Sequence, residues 1–143
     1  MADILRSAEA TWDGDLRGGK GKFSAQSGVF KETPYSFATR FESAPGTNPE
    51  ELIAAAHSGC FSMAFSAELG KANLVPETIE TKATLDFDMK DGKPTVTKIH
   101  LDCVARIPNA SAEAFNKAAQ DAKAGCPISR LLNAEITLSA RLA

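Results

Sequence analysis

Residues that carry chemistry are few in this chain: 143 residues hold three cysteines, two histidines, one tryptophan and one tyrosine. Neither charge sign is in strong excess, with 16 Lys and Arg against 18 Asp and Glu, so the basic field that recruits nucleic-acid phosphates is missing and no nucleic-acid partner is expected. Long apolar runs are lacking too. The longest uncharged stretch, Leu52 to Ala67, is 16 residues and carries His57, Ser58, Gly59, Ser62 and Ser66, short and polar for a membrane span. No apolar segment follows Met1-Ala2-Asp3-Ile4-Leu5-Arg6, so no secretory leader is expected and cytoplasmic residence is the default. An odd number of cysteines in a reducing compartment argues against a disulfide framework. No CxxC or HExxH spacing converges ligands, so neither a metal nor another cofactor is expected.

What remains has ordinary globular composition, with 43% hydrophobic and 24% charged residues, and fits one domain over residues 1–143. Turn signals at Asp13-Gly14, Gly18-Gly19 and Ser27-Gly28 predict a meander of antiparallel strands. Its last member is read through Tyr35 to Phe41, with Tyr35, Phe37 and Phe41 on one side and Arg40 facing away from them. Pro45-Gly46-Thr47-Asn48-Pro49 then starts a helix, with Asn48 as N-cap and Glu50 and Glu51 in the first turn, where the helix dipole favours acids. From Leu52 to Leu69 it is apolar nearly all round, which describes a helix enclosed by protein. Gly59, Ser62, Ser66 and Gly70 form a small-residue stripe that admits a second helix closely.

After Pro76 the period is two, and Asp91-Gly92 turns a hairpin whose return strand, Thr95 to Ile107, places Ile99, Leu101, Cys103 and Ala105 on its apolar face. A second helix runs from Ser111 to Gly125, Cys126 and Pro127 open a short third, and Glu135 to Leu142 closes as a strand. The fold class is α+β, an antiparallel sheet wrapped around a buried central helix.

Four features are candidates for chemistry. Gly14, Gly19 and Lys20 have phosphate-loop spacing, but Gly21 stands where a Ser or Thr should hold magnesium, so a flexible strand connection is the better reading. His57 precedes Cys60 by nearly one turn and could act as its base, although a core histidine is the simpler account; His100 is on a polar strand face and reads as solvated. Cys126 sits at a helix N-cap, where unpaired backbone N–H groups stabilise a thiolate. Cys103 reads as core. Spacing alone does not pair Cys60 with Cys126, and ten helical residues put Glu50 about 15 Å from Cys60 along the axis.

The runs Gly46-Thr47-Asn48-Pro49-Glu50-Glu51-Leu52, Ala55-Ala56-His57-Ser58-Gly59-Cys60-Phe61-Ser62 and Ala122-Lys123-Ala124-Gly125-Cys126-Pro127-Ile128-Ser129 resemble the OsmC/Ohr family of thiol peroxidases, and within it the osmotically inducible branch. Thr11-Trp12-Asp13-Gly14, Thr39-Arg40-Phe41-Glu42 and Ala134-Glu135-Ile136-Thr137-Leu138 extend the likeness over essentially the whole chain. The resemblance implies an intertwined homodimer with active sites at the subunit interface, reducing organic hydroperoxides and, less well, hydrogen peroxide. By position it makes Cys60 the peroxidatic cysteine, Cys126 the resolving cysteine, and Arg40 with Glu50 the activating pair, with Arg17 as the other candidate arginine. It implies an external dithiol reductant, of lipoyl type rather than thioredoxin. It assigns nothing to Cys103 or His57. The competing readings are a redox sensor without turnover, a carrier of small apolar molecules, and a Cys60/His57 hydrolase.

Overall fold

A computed structural model describes residues 4–143. Residues 1–3, on which part of the no-leader reading rests, lie outside the described residues. The backbone separates into two compact units, one running through Pro49 and one from Glu50 to Ala143.

The first unit is the expected meander. Strands β1 (Ala8–Asp13), β2 (Lys20–Ala25) and β3 (Thr33–Tyr35) form an antiparallel sheet in the order β1-β2-β3. Gly21 is required on β2, because a Cβ there would enter the Tyr35 ring and crowd Trp12. Phe23 stacks on Tyr35 at 3.9 Å between ring centroids and 12° between planes. The strand expected through Phe41 stops at Tyr35. Residues Phe37–Phe41 are instead a helical turn, α1, held by a reciprocal capping box: Ser36 Oγ accepts from Thr39 N–H and Thr39 Oγ1 accepts from Ser36 N–H. Phe37 and Phe41 are therefore i, i+4 neighbours on a helix, 4.9 Å apart by ring centroids.

The second unit opens with α2 (Pro49–Lys71), which begins at the expected proline with Glu50 and Glu51 in its first turn. The hairpin follows as β4 (Thr78–Lys90) and β5 (Lys93–Arg106), with a bulge at Asp86/Phe87. The alternation of half-buried and exposed positions runs through Phe87 and then ends, leaving Met89 exposed. Helix α3 (Ala112–Gly125) is capped by Ser111, α4 (Pro127–Leu131) by Cys126, and β6 (Glu135–Leu142) pairs with β5.

The α+β class holds, with two differences in detail. There are two three-stranded sheets rather than one, and β6 joins β5 in parallel. A strand's own alternation fixes which face is apolar but not which neighbour it takes or in which direction.

The core of this unit joins Phe61, Phe65 and Leu69 of α2 to Ile99, Leu101, Cys103 and Ala105 of β5 and to Phe115, Ala118, Ala119 and Ala122 of α3. Phe65 meets Phe115 edge-on at 5.5 Å. Each large side chain buried here contributes about 1.5–3 kcal/mol of transfer free energy. The helix is not enclosed on every side within one chain, contrary to the sequence reading: Ala55, Ala56, Gly59, Met63 and Ser66 are exposed. Alanine, glycine and serine are apolar or neutral enough to look buried in a sequence while burying little themselves. Nor is α2 too short for a bilayer, since its full 23 residues have the length and hydropathy of a crossing. The aromatic face packed into the core is what makes it a core helix here.

Candidate active site

Two elements of the second unit bring the predicted cysteines together. Cys60 lies midway along α2, half-buried, and Cys126 lies at the α3–α4 junction, fully buried. Gly125 ends α3, and Pro127, which has no backbone N–H to leave unpaired, starts α4. The break between them is what turns Cys126 back toward α2. Both are free cysteines, and each lies near enough to the other and to the Ile128 N–H for its ionisation to be shifted by them. Sixty-six positions apart in sequence, they are neighbours in the fold.

Their electrostatics differ. Burial pushes the Cys60 thiol above its ordinary value; the Cys126 side chain and its charge push the same way, against the Ile128 N–H. Burial also presses Cys126 upward but is outweighed by the Ser129 hydroxyl, the Ser129 N–H, the Cys60 side chain and the Ile128 N–H, so that thiol is held below its ordinary value. The N-cap reading of Cys126 is thus realised: Ser129 N–H donates to its sulfur at 3.3 Å. The third thiol, Cys103, is wholly buried in the β5 core face as expected, and burial raises its pKa.

His57 does not serve as the base of Cys60. It is fully buried, its Nε2 is 2.8 Å from Ser129 Oγ, and its Nδ1 has no hydrogen-bond partner. Burial lowers its pKa, so the ring is neutral at pH 7. Ser129 was overlooked in the sequence, although Cys126-Pro127-Ile128-Ser129 has the N-cap to N3 spacing that signals a capping interaction. His100, read as solvated, instead places Nδ1 2.6 Å from Thr137 Oγ1 across the β5–β6 pair.

The two remaining site candidates belong to different units. Glu50 is buried in the first turn of α2. Arg40 is on α1, and it does not face away from the aromatic residues as the strand reading required. Its guanidinium lies 5.3 Å from the Phe41 ring centroid, and with Trp12, Leu16, Tyr35, Phe37 and Phe41 it lines a cleft of about 250 Å³. Arg17, the alternative arginine, packs its guanidinium over the Phe37 ring at 4.7 Å. Among the described residues no group of three or more His, Cys, Asp or Glu side chains converges as metal ligands.

A family model described as OsmC-like protein matches residues 42–141. The chain belongs to the OsmC-like family. It is 48% identical over 139 residues to peroxiredoxin OsmC of Escherichia coli strain K12, covering 97% of each chain. It is 35% identical over 95 residues to organic hydroperoxide resistance protein-like 1 of Staphylococcus epidermidis, covering 65% of this chain and 66% of that one. In fold, this OsmC-like chain is similar to a solved OsmC-like protein of Vibrio cholerae, with a TM-score of 0.76, 20% identity, and coverage of 97% and 100% of the two chains.

Proposed function

We propose that this OsmC-like chain is a two-cysteine thiol peroxidase that reduces organic hydroperoxides, and hydrogen peroxide less well. The observation that carries the reading is the thiol pair: Cys60, half-exposed, close enough to shift the ionisation of Cys126, which is fully buried and held below the ordinary thiol value. A hydroperoxide reaches the first and not the second. The names of the relatives, peroxiredoxin OsmC and organic hydroperoxide resistance protein, support the same chemistry.

In the first step the Cys60 thiolate attacks one peroxide oxygen, the O–O bond breaks, and the alkoxide leaves with a proton as alcohol, giving Cys60 sulfenic acid. In the second, Cys126 attacks the sulfenic sulfur; the S–S bond forms, the S–O bond breaks, and water leaves. An external dithiol, of lipoyl type in this reading, reopens the disulfide.

Burial alone raises the Cys60 pKa, so first attack needs a cation beside it. Arg40 is assigned that role, with Glu50 orienting its guanidinium as a carboxylate partner does. Arg17 remains the alternative. The apolar residues around Cys60 on α2, from Leu52 to Phe65, suit an alkyl tail better than a small polar oxidant. A homodimer completes the sites, and the exposed small-residue face of α2 around Gly59 and Met63 is suited to covering by a second copy. Residues 1–143 act as one functional domain, in line with the 97% coverage of the E. coli relative, and a cytoplasmic location keeps the thiols reduced.

The test is stoichiometric oxidation of the reduced protein by an alkyl hydroperoxide, followed by intact mass and peptide mapping. Loss of two hydrogens with a Cys60–Cys126 link, reopened by dihydrolipoamide during turnover, is expected. No reaction, or a link through Cys103, overturns the assignment.

A further inference from the structure

One buried titratable group has no part in the chemistry above. His57 is sealed from solvent, yet only one of its ring nitrogens is partnered, and that partner, Ser129 Oγ, also lies 3.3 Å from Cys126 Sγ. A histidine kept only for packing is better satisfied at both nitrogens or replaced by an apolar residue, since an unpaired buried polar group costs about 1–3 kcal/mol. The chain Cys126 Sγ, Ser129 Oγ, His57 Nε2 is continuous at 3.3 and 2.8 Å, and every member is buried.

We propose that His57, acting through Ser129, is a positioning residue that takes the proton of Cys126 as this thiol attacks the Cys60 sulfenic acid. The inference rests on the reading of Cys126 as the resolving cysteine. With Cys126 protonated, its S–H donates to Ser129 Oγ, and the Ser129 hydroxyl donates to Nε2 of the neutral ring. In the step itself the Cys126 S–H bond breaks and its proton passes to Ser129 Oγ, while the Ser129 hydroxyl proton passes to Nε2. The thiolate then forms the S–S bond, the Cys60 S–O bond breaks, and the departing hydroxide leaves as water with the proton that His57 gives back.

The titratable groups around the ring leave it this role. On α2 they are Cys60, one turn on, and Glu50, two turns back on the same face; at the α3–α4 junction there is Cys126; β5 turns only Cys103 of its titratable residues into the core. Burial is what sets the imidazole below its ordinary pKa, which leaves it unprotonated and able to accept at pH 7. It also makes the imidazolium short-lived, as returning the proton to the leaving hydroxide requires.

The experiment compares wild type with His57→Gln, whose amide can still bond Ser129 but cannot take up a proton, and with Ser129→Ala as a second, smaller change. Reduced protein is pulsed with one equivalent of cumene hydroperoxide, and the decay of sulfenic acid into disulfide is followed by timed trapping with dimedone and intact mass, from pH 6 to 10. Condensation in both variants is expected to be about a hundredfold slower than wild type at pH 7, with the gap closing towards pH 10 as bulk hydroxide ionises Cys126. Wild-type condensation in His57→Gln at pH 7 overturns the relay, as does a deficit that is the same at pH 10, the mark of a packing defect. Persistent sulfenic acid with reduced Cys126 in the wild type would instead remove the resolving role itself.

Discussion

Ser129→Ala is the sharpest single perturbation of the site's ground state, because one hydroxyl serves two buried partners. Its loss takes the 2.8 Å bond from His57 Nε2 and the 3.3 Å contact from Cys126 Sγ, while the Ser129 N–H to sulfur bond survives. The imidazole, fully buried and already unpartnered at Nδ1, is then left without a partner at either nitrogen. An orphaned buried polar group costs about 1–3 kcal/mol, and the long bond to sulfur adds less, so the expected loss is roughly 2–4 kcal/mol. For a chain of this size that corresponds to a fall in Tm of roughly 5–12 °C. Urea unfolding of the reduced protein measures the loss directly. A thiolate titration at 240 nm, in a background with Cys60 and Cys103 replaced by serine, measures the second consequence: the Cys126 pKa moves up when the hydroxyl that lowers it is removed. A loss below about 0.5 kcal/mol, within the range of ordinary surface substitutions, together with an unmoved titration, would refute the idea that this hydroxyl links the two groups.

Other outcomes follow from the same physics. Cys126→Ser leaves the Cys60 sulfenic acid without its partner, so excess hydroperoxide drives Cys60 to the sulfinic acid, seen as a mass gain on the Cys60 peptide, and dithiol-dependent turnover is lost. His57 makes stability fall at mildly acidic pH: the unfolded imidazole protonates below 6.5 while burial resists protonation in the fold, so stability present above 6.5 is lost as pH falls through the lowered folded value, and His57→Gln flattens that slope in urea melts. Phe65→Ala empties a site between α2 and α3 and costs about 3–5 kcal/mol by denaturant unfolding. Gly21→Ala drives a methyl into the Tyr35 ring and destabilises the N-terminal sheet by about 1–3 kcal/mol, read as early loss of the near-ultraviolet signal of Trp12 and Tyr35.

Much of this was legible wherever a local period and a local stop signal agreed. The β5 alternation put Cys103 in the core, and Ser111, Gly125 and Pro127 bounded the two short helices correctly. Reading failed where a short stretch satisfied two periods at once. Tyr35, Phe37 and Phe41 fit a strand, yet Phe37 and Phe41 also fit a helix, and only the Ser36–Thr39 capping pair separates the two. The parallel docking of β6 was invisible to local reading, and the Cys60–Cys126 proximity was reached only through family resemblance. Each depends on which element meets which across the chain, and no short window of sequence holds both sides. His57 shows the same limit from the other direction, since its nearest thiol in sequence is Cys60 but its hydrogen bond leads to Ser129 and thence to Cys126.

Local helix physics and family resemblance point to different first nucleophiles. Helix α4 makes Cys126 the more acidic thiol, which by ionisation alone would make it the first nucleophile. In the proposed function accessibility outweighs ionisation, because a thiolate with no exposed surface cannot meet a hydroperoxide, whereas Cys60 is half-open. The two properties suit two different steps. The reachable sulfur needs a cation brought to it before it can ionise, and that requirement gives an arginine its place. The hidden sulfur needs to be ionisable from within at neutral pH, where hydroxide is scarce. In the proposed relay the Ser129 hydroxyl, the Ile128 and Ser129 N–H groups and the neutral His57 ring would supply that from the protein itself. A nucleophile prepared in this way would react with the one electrophile placed against it in the proposed cycle, the oxidised sulfur of Cys60. On that reading, the burial that bars Cys126 from the first step protects it for the second.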